Sequence, residues 1–488
     1  MLSVAGISMA LCLLAGCSFV PDYKRPQVTM PAAYRAGSPA IAPSIANDVW
    51  PREDWWRGFN DQQLDHLEDL ARAHNDDIKV AIAQVKQADA AAREAGSALL
   101  PGVSLSGTQD WRQSSQSAQL GALGLGGLGP AGGSSAGTSD NRSYALTGSI
   151  SYEIDFWGVN RATAENADLS ALASRYSQAN VALTVETSVA TAYFQAMADK
   201  DELAVAETNL DLSRQTLAVY QGRLDAGTAT ALDVAQQQAT VAQQEAAIPS
   251  DQSALEQELV ALGILVGETP EELNIVPGTL TSLALPEVSA GLPAQLLARR
   301  PDVAEAEAQL LAANQTIGAA RGDFFPNISL TGSGGFQSLA LNKLLVPGAS
   351  SLSLGSSLTQ TIFDNGKLLG QLESAHGQFE QLAASYHKTV LQAFTDVEDA
   401  LIGLRYAAAQ EKLQQNAYDI SNRANDIAHE QMQAGTVDIT TVLNTENTLR
   451  STQLTLVQVR LSRLDALITL FKALGGGWSS SDLAAMKG

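Results

Sequence analysis

The stretch ALLPGVSLSG (Ala98–Gly107) returns as DFFPNISLTG (Asp323–Gly332), 225 positions later. LDAGT (Leu224–Thr228) returns as MQAGT (Met432–Thr436), 208 positions later. The pair Phe156…Gly158 returns as Phe363…Gly366, with its glycine again offset by 208. The chain is therefore a tandem duplication, with 17 extra residues, the difference between the two offsets, inserted in the first copy. A repeat this long is not a solenoid unit. Each copy is half of one pseudo-symmetric body.

Working outward, the repeated ten residues end a helix and begin a strand. From Asp61, apolar residues at Leu64, Leu67, Leu70, Ile78, Ile82 and Val85 follow helical spacing until Pro101. Alternation then takes over. In 143–155, Tyr144, Leu146, Ile150, Tyr152 and Ile154 share one face, while Ser143, Thr147, Ser149, Ser151, Glu153 and Asp155 share the other. In 351–363, Leu352, Leu354, Leu358 and Ile362 oppose Ser351, Ser353, Ser357, Thr359 and Thr361. Weaker partner strands are expected at 101–113 and 326–338. Each run is long enough to cross a bilayer as a tilted strand. A half-buried soluble sheet gives the same alternation.

The insertion lies between the first two strands. Ser114–Asn141 is mostly Ser, Gly, Ala and Leu, and contains GLGGLG at 124–129. That string formally matches a dinucleotide fingerprint, but it lacks the preceding strand and following helix that such a site needs.

The remainder reads as helix. Gly158–Ala226 and Gly366–Ala434 contain no proline and, if helical, each extend about 100 Å at 1.5 Å per residue. Gly227 and Gly435, each followed by a threonine (Thr228, Thr436), stand where a helix C-terminus takes up a left-handed conformation. Thr230 and Asp233 have capping-box spacing for the returning helix, and Asp438 is a candidate cap in the second copy. Each copy thus holds a long helical hairpin with its tip near residue 227 or 435.

At the N-terminus, Val4–Ala15 has the length and apolarity of a signal peptide, although no Lys or Arg precedes it. It contains Cys12 and runs into Leu14-Ala15-Gly16-Cys17. That tetrapeptide resembles the lipobox of bacterial lipoproteins, which implies cleavage before Cys17 and a covalent lipid on its thiol. The expected organisation is 1–16 signal peptide, 17–60 leader, 61–270 first repeat, 271–292 linker, 293–477 second repeat and 478–488 tail.

The net charge of −22 argues against nucleic acid as a partner. No run of 18 apolar residues provides a spanning helix. The five histidines form no ligand pair, and six methionines, two of them in the signal segment, disfavour a Met-lined copper or silver route while leaving metal export open, since the pump can do the selecting. No nucleophile–base or metal constellation points to an enzyme or a cofactor. Arg299-Arg300-Pro301-Asp302 reads as a helix start with arginine pairing rather than an anion site. Trp50, Trp55 and Trp56 read as packing on helices or as an interfacial belt.

Four strands cannot close a barrel, and open edges in lipid leave backbone groups unpaired. If the strands are in a membrane, copies of the chain must complete the sheet. Two copies give eight strands and three give twelve. An eight-stranded interior is filled by side chains, and larger ones hold water, so the polar face favours three.

LPAQLLARRPDVAEAEAQLLAANQTIGAARGDFFPNISLTGSGG (Leu292–Gly335) resembles the hallmark segment of NodT-type outer-membrane factors. These are TolC-like lipoproteins of resistance-nodulation-division efflux systems. Trp55-Trp56 with Phe59 and Asp61, and SYEIDFWG (Ser151–Gly158), resemble further parts of that family. The resemblance runs from Cys17 to Gly477. It implies a mainly helical homotrimer in the outer membrane, with a twelve-stranded barrel continuing into a periplasmic helical barrel. The tips would meet a periplasmic adaptor that links the channel to an inner-membrane transporter. Substrates would pass by diffusion, without catalysis.

Two positions depart from the family. Some members carry an Asp nine residues after the second tip glycine and an Arg three residues later, closing the tips by salt links. Here those positions are Asn444 and Asn447. The candidate gate is then Asp438, Thr440, Asn444, Glu446 and Asn447. Glu153, Asp155, Asp438 and Glu446 are expected to line the water path and favour cations. Two other readings stay open from sequence: a TolC-like exit duct for secreted proteins, and a coiled-coil envelope tether without a pore.

Overall fold

The computed structural model describes residues 18–29, 31, 34–35, 51–115, 138–273, 275–288 and 293–478. Cys12, Cys17, Trp50 and the glycine-rich string at 124–129 lie outside them. The main helices are α1 (Gln62–His74), α2 (Asp76–Ser97), α3 (Val159–Asp225), α4 (Ala231–Val266), α5 (Pro301–Gly322), α6 (Lys367–Gln433) and α7 (Ile439–Ala473). The strands are β1 (Gly102–Ser115), β2 (Thr138–Glu153), β3 (Asn327–Ser338) and β4 (Ser350–Thr359).

The duplication holds at the level of element boundaries. Moved by 225 positions, α2 has the bounds of α5. Moved by 208, α3 has the bounds of α6, and α4 starts where α7 starts. Among the described residues, no helix is long and apolar enough to cross a membrane.

Two compact units are present. The first comprises Met1–Lys24, Ala88–Ala171 and Gln309–Leu382. It contains an antiparallel sheet in the order β1-β2-β3-β4. Strand ends differ from the sequence expectation for local reasons. β4 stops at Thr359, not 363, because Thr359 pairs with Asn327 and the preceding Pro326 has no N–H to extend the ladder. β2 stops at Glu153, not 155, where its register with β3 ends at Ser329, and it begins at Thr138 because β1 continues to pair with it as far as Ser115.

The second unit comprises Arg25–Gln87, Leu172–Ala308 and Ala383–Gly488. The helical pattern expected to run unbroken from Asp61 is interrupted at Asn75. The Asn75 side-chain oxygen accepts from the Ile78 N–H at 3.0 Å and caps α2, while its Nδ2 donates to the Leu265 carbonyl at 2.8 Å. Trp55, Trp56 and Phe59 form a short 3-10 turn and are buried. Trp55 stacks on Phe471 at 4.9 Å, and Phe59 meets Phe194 edge-on at 4.9 Å. Packing on helices, the first of the two expected roles, is what Trp55 and Trp56 do.

Side-chain links order the long helices of this unit. Arg214 pairs with Glu245 at 2.7 Å across α3 and α4. Asn209 bonds Gln453 at 2.9 Å across α3 and α7. Arg463 pairs with Glu411 at 2.6 Å across α7 and α6. These links place α4 beside α3, α3 beside α7 and α7 beside α6, and at the tip α3 also meets α6 at Met432. Helix α6 exposes Tyr406, Leu413, Ile420 and Ile427, spaced by seven. That spacing is a coiled-coil seam without a partner among the described residues.

Candidate functional site

The register puts the two kinds of side chain on opposite faces of the sheet. Leu146 faces Phe336, Ile150 faces Gly332, and Gly332 faces Leu354. Val103, Leu105, Leu352 and Leu354 lie on the same face, and Leu352 and Leu354 are 79% and 83% exposed. The other face is a hydroxyl ladder. Ser329 bonds Ser357 at 2.7 Å, and Ser333 bonds Ser353 at 2.9 Å, directly across the β3–β4 register. A sheet with one bare apolar face and one hydroxyl face suits lipid on one side and water on the other. Among the described residues, both edge strands, β1 and β4, keep an unpaired side.

The carboxylates expected to line the water path have local partners. Glu153 accepts from Asn327 Nδ2 at 2.6 Å. Asp155 accepts from the backbone N–H groups of Asn160 (3.1 Å) and Arg161 (2.8 Å), so it caps α3. Asp364 does the same for α6, accepting from Leu368 and Gly366. Those backbone donors, Leu368 first, hold the Asp364 carboxyl below the usual carboxylate range. Asp155 thus serves a helix start, where the macrodipole favours an anion.

The two tip turns lie together in the second unit and share one geometry. Gly227 has φ +69° and Gly435 has φ +73°. The Thr228 N–H donates to Arg223 O at 2.8 Å, and the Thr436 N–H to Gln431 O at 2.9 Å. The Thr228 and Thr436 hydroxyls donate to the same two carbonyls. This is the Schellman closure, which needs a left-handed residue at the glycine position. The returning helices are capped as expected. Thr230 and Asp233 form a reciprocal capping box. Asp438 accepts from the Thr441 N–H and hydroxyl at 2.9 and 2.8 Å, which lowers its pKa.

Beneath the turns is a core that gave no signal in the sequence. Tyr220, Val234, Ala428, Met432, Ile439 and Val442 are buried together. Tyr220 donates its hydroxyl to the Met432 sulfur at 3.1 Å. Arg223 donates to the Met432 carbonyl at 2.6 Å, tying the first tip to the second.

The candidate gate residues divide into two groups. Asp438, Thr440, Asn444 and Asn447 are exposed. Among the described residues, the Asn444 and Asn447 amides have no side-chain hydrogen bond within the chain. Glu446 is different: it is largely covered, accepts from His429 Nε2 at 3.1 Å, and accepts from the Thr216 hydroxyl at 3.3 Å. The bond from Glu446 raises the His429 pKa above its ordinary value. His429 was silent in the sequence because its partner is 17 positions away on the next helix.

The Arg300 motif is structural. Its guanidinium holds Asp302 with a two-point contact at 3.0 and 2.7 Å, Asp396 at 2.9 Å and the Ala473 carbonyl at 3.1 Å. Among the described residues, no group of His, Cys, Asp or Glu is arranged to hold a metal ion.

Residues 67–268 and 292–476 match the family described as outer membrane efflux protein, one match for each copy of the duplication. The chain belongs to the outer membrane efflux protein family. It is 36% identical over 486 residues to the pyoverdine export outer membrane protein OpmQ of Pseudomonas aeruginosa, with 98% of both chains covered. It is 31% identical over 480 residues to the toluene efflux pump outer membrane protein TtgC of Pseudomonas putida, covering 98% of this chain and 96% of that one. Its fold matches the Campylobacter jejuni CmeC outer membrane channel with a TM-score of 0.85 at 21% identity, over 96% and 98% of the two chains. The efflux class therefore stands over the secretion duct and the envelope tether: the protein is an outer-membrane efflux component, a transport channel and not an enzyme.

Proposed function

We propose that this chain is the passive exit duct of a tripartite pump, working as a homotrimer with a lipid on Cys17. One observation carries the reading: a four-stranded sheet with a bare apolar face, a hydroxyl face and two open edges. In lipid each open edge leaves a row of costly unpaired backbone groups. Three copies joined β4 to β1 remove every edge and give twelve strands around a water-filled lumen. The helices support the same closure, since α6 carries an exposed heptad stripe. The inner-membrane partner is a resistance-nodulation-division transporter. The adaptor docks at the turns around Gly227, Thr228, Gly435 and Thr436. The exposed Asp438, Thr440, Asn444 and Asn447 form the gate rim, and Glu446 holds that rim from beneath.

Lipidation is supported by the residues just after Cys17. Phe19 stacks on Phe325 at 4.6 Å, and Trp157 stacks on Phe325 at 4.8 Å. Asn314 donates to the Pro21 carbonyl at 2.8 Å. The leader is thereby fixed beside the strand-to-helix junctions, a position from which an acyl chain enters the bilayer. Several acyl chains anchor stably where one does not.

The test combines two measurements on protein extracted from membranes. Native mass spectrometry is expected to give a trimer whose chains begin at a lipid-bearing Cys17. Planar bilayers are expected to show an ohmic pore. A monomer without conductance would overturn the reading, and an unmodified Cys17 would remove the anchor.

A further inference from the structure

Between β3 and β4 the chain exposes an unusual amount of apolar side chain. Leu339, Leu341 and Leu345 are 69%, 64% and 70% exposed, and Val346 is exposed beside them. Two short 3-10 turns, Leu341–Lys343 and Pro347–Ala349, hold this connection in a defined shape. Lys343 is its one charged residue. A loop meant for water does not expose four large apolar residues in eight.

The register fixes the height of this loop. The last residue of β3, Ser338, pairs with Tyr144. Beyond Tyr144 only the β1–β2 ribbon continues, through Ser143–Thr138 paired with Asp110–Ser115. The 12 residues of β3 rise about 40 Å, or about 28 Å across a bilayer at the usual tilt of about 45°. That is the thickness of the hydrocarbon core, so the loop begins where the hydrocarbon ends. At this level, and on the apolar face, Trp111 pairs with Arg142 and is 60% exposed. A Trp–Arg pair is the side-chain chemistry of a bilayer–water boundary. Asp140 lies one step farther outward on that face.

We propose that the β3–β4 connection is a lipid-binding collar on the outward end of the barrel. Leu339, Leu341, Leu345 and Val346 enter the edge of the acyl region. Lys343 and Arg142 hold lipid phosphates, and Trp111 sits among the headgroups. The occupant is a phosphate-bearing lipid surface. Two features select it: the apolar surface is continuous with the bare sheet face through Leu352 and Leu354, and the charges at its rim are mainly cationic. This inference rests on the sheet being the membrane wall. It goes further in assigning a loop, which a porin-like reading would leave in water, to the lipid itself.

The experiment introduces the photoreactive residue p-benzoylphenylalanine in the full-length protein, one site at a time. The variants are Leu341→p-benzoylphenylalanine and Leu345→p-benzoylphenylalanine, with controls at Leu354 and Ser353. Each is reconstituted in vesicles of phosphatidylethanolamine and phosphatidylglycerol (4:1), irradiated and analysed by mass spectrometry. Lipid adducts are expected at 341, 345 and 354 and not at 353. Lys343→Glu and Arg142→Glu are each expected to lower the phosphatidylglycerol share of the 341 adduct roughly fivefold, as for a cation at an anionic surface. Adducts at 354 but none at 341 and 345 would sink the collar and leave the membrane wall standing. Cross-links from 341 to another copy of the chain would also overturn it, showing loops packed on one another. No lipid adduct even at 354 would remove the wall and the collar together.

Discussion

Placing one arginine at two adjacent positions of β4 separates the two faces of the sheet. Leu354 pairs with Gly332, five residues from one end of β3 and six from the other, so it lies at mid-height. Its side chain is 83% exposed and loses no packing core when replaced. In a bilayer, Leu354→Arg costs about 2–4 kcal/mol, the value for Arg on the lipid face of a barrel at the midplane. That is roughly a 30- to 800-fold fall in the folded-to-unfolded ratio per chain. Ser353 faces the other way. Ser353→Arg loses one hydroxyl pair with Ser333, worth about 1 kcal/mol, and leaves the new charge in water. The assay is urea unfolding of barrel reconstituted in vesicles, followed by the gel shift of the folded form, with detergent micelles as a second medium. Leu354→Arg is expected to be the more damaging of the two in vesicles, and less so in micelles, where headgroups reach the site. Ser353→Arg is expected to move the reversal potential in a salt gradient toward chloride. Equal costs at the two positions in vesicles, or a larger cost at 353, would refute the assignment of faces.

At the tips, a Cβ added to Gly227 or Gly435 meets no atom within 4 Å, so the cost of Gly227→Val or Gly435→Val is backbone strain alone, about 1–2 kcal/mol for a left-handed residue. Loss of efflux with assembly intact is expected; full efflux in both variants would count against docking at these turns. Glu68 is fully buried on α1, and burial, then Glu186, raises its pKa well above the ordinary value of 4.5. A raised carboxyl gives stability that is complete below the unfolded pKa and is lost as pH rises toward the folded one. Glu68→Gln is therefore expected to raise the thermal midpoint by an amount that grows from pH 5 to pH 8, and parallel midpoint curves would disprove the buried proton. The raised His429 pKa has the same sign: its bond to Glu446 is complete below 6.5 and is lost as pH rises through the folded value, with Asp426 the other acid acting on the ring. Protection from hydrogen exchange across 213–233 and 426–446, corrected for the intrinsic base-catalysed rate, is expected to fall between pH 6 and pH 8 in the natural protein and to be flat in His429→Gln. Equal pH dependence in the two would show that the pair does not hold the tip.

Much of the frame was legible because repetition supplies its own control. A boundary weak in one copy is strong in the other, and the offsets of 225 and 208 carry α2 onto α5 and α3 onto α6. The tip glycines and their caps were legible because a left-handed turn admits few residue types. Interactions between helices were not legible. Glu446 read as a tip charge facing water, and only the fold shows His429 and Thr216 on it. Asp155 followed the alternation of a strand, yet β2 ends at Glu153 and Asp155 caps the next helix. Period-2 patterning does not mark where pairing stops, because that depends on the neighbouring strand's backbone. The apolar β3–β4 connection was hidden for a related reason. Leucines in a loop lack periodicity, and their meaning comes from height in the sheet, which the register alone supplies.

The two tips also show how a duplicated frame becomes asymmetric without losing its turns. At the N-cap, copy one has Thr230 with Asp233 three residues on, and copy two has Asp438 with Thr441. The residues are exchanged and the bond from the third N–H to the cap oxygen is kept. Each turn is thus closed at both ends by the same backbone geometry, so neither needs a tertiary contact to form. The tertiary contacts are then free to differ, and they do. His429 and Glu446 of copy two correspond, 208 positions back, to Gln221 and Gln238. Two glutamines remain neutral at every physiological pH, whereas an imidazole beside a carboxylate changes charge near neutrality. Thr216 of copy one donates to that same carboxylate, so the titrating pair in copy two is attached to the silent copy beside it. In the proposed trimer such tips alternate around a ring, one set responsive to protons and one set its fixed support. Asn444, two residues before Glu446, and Asn447, directly after it, are carried by whichever way α7 moves. In the proposed trimer the Asn444 and Asn447 amides stand on α7 within two residues of that proton site.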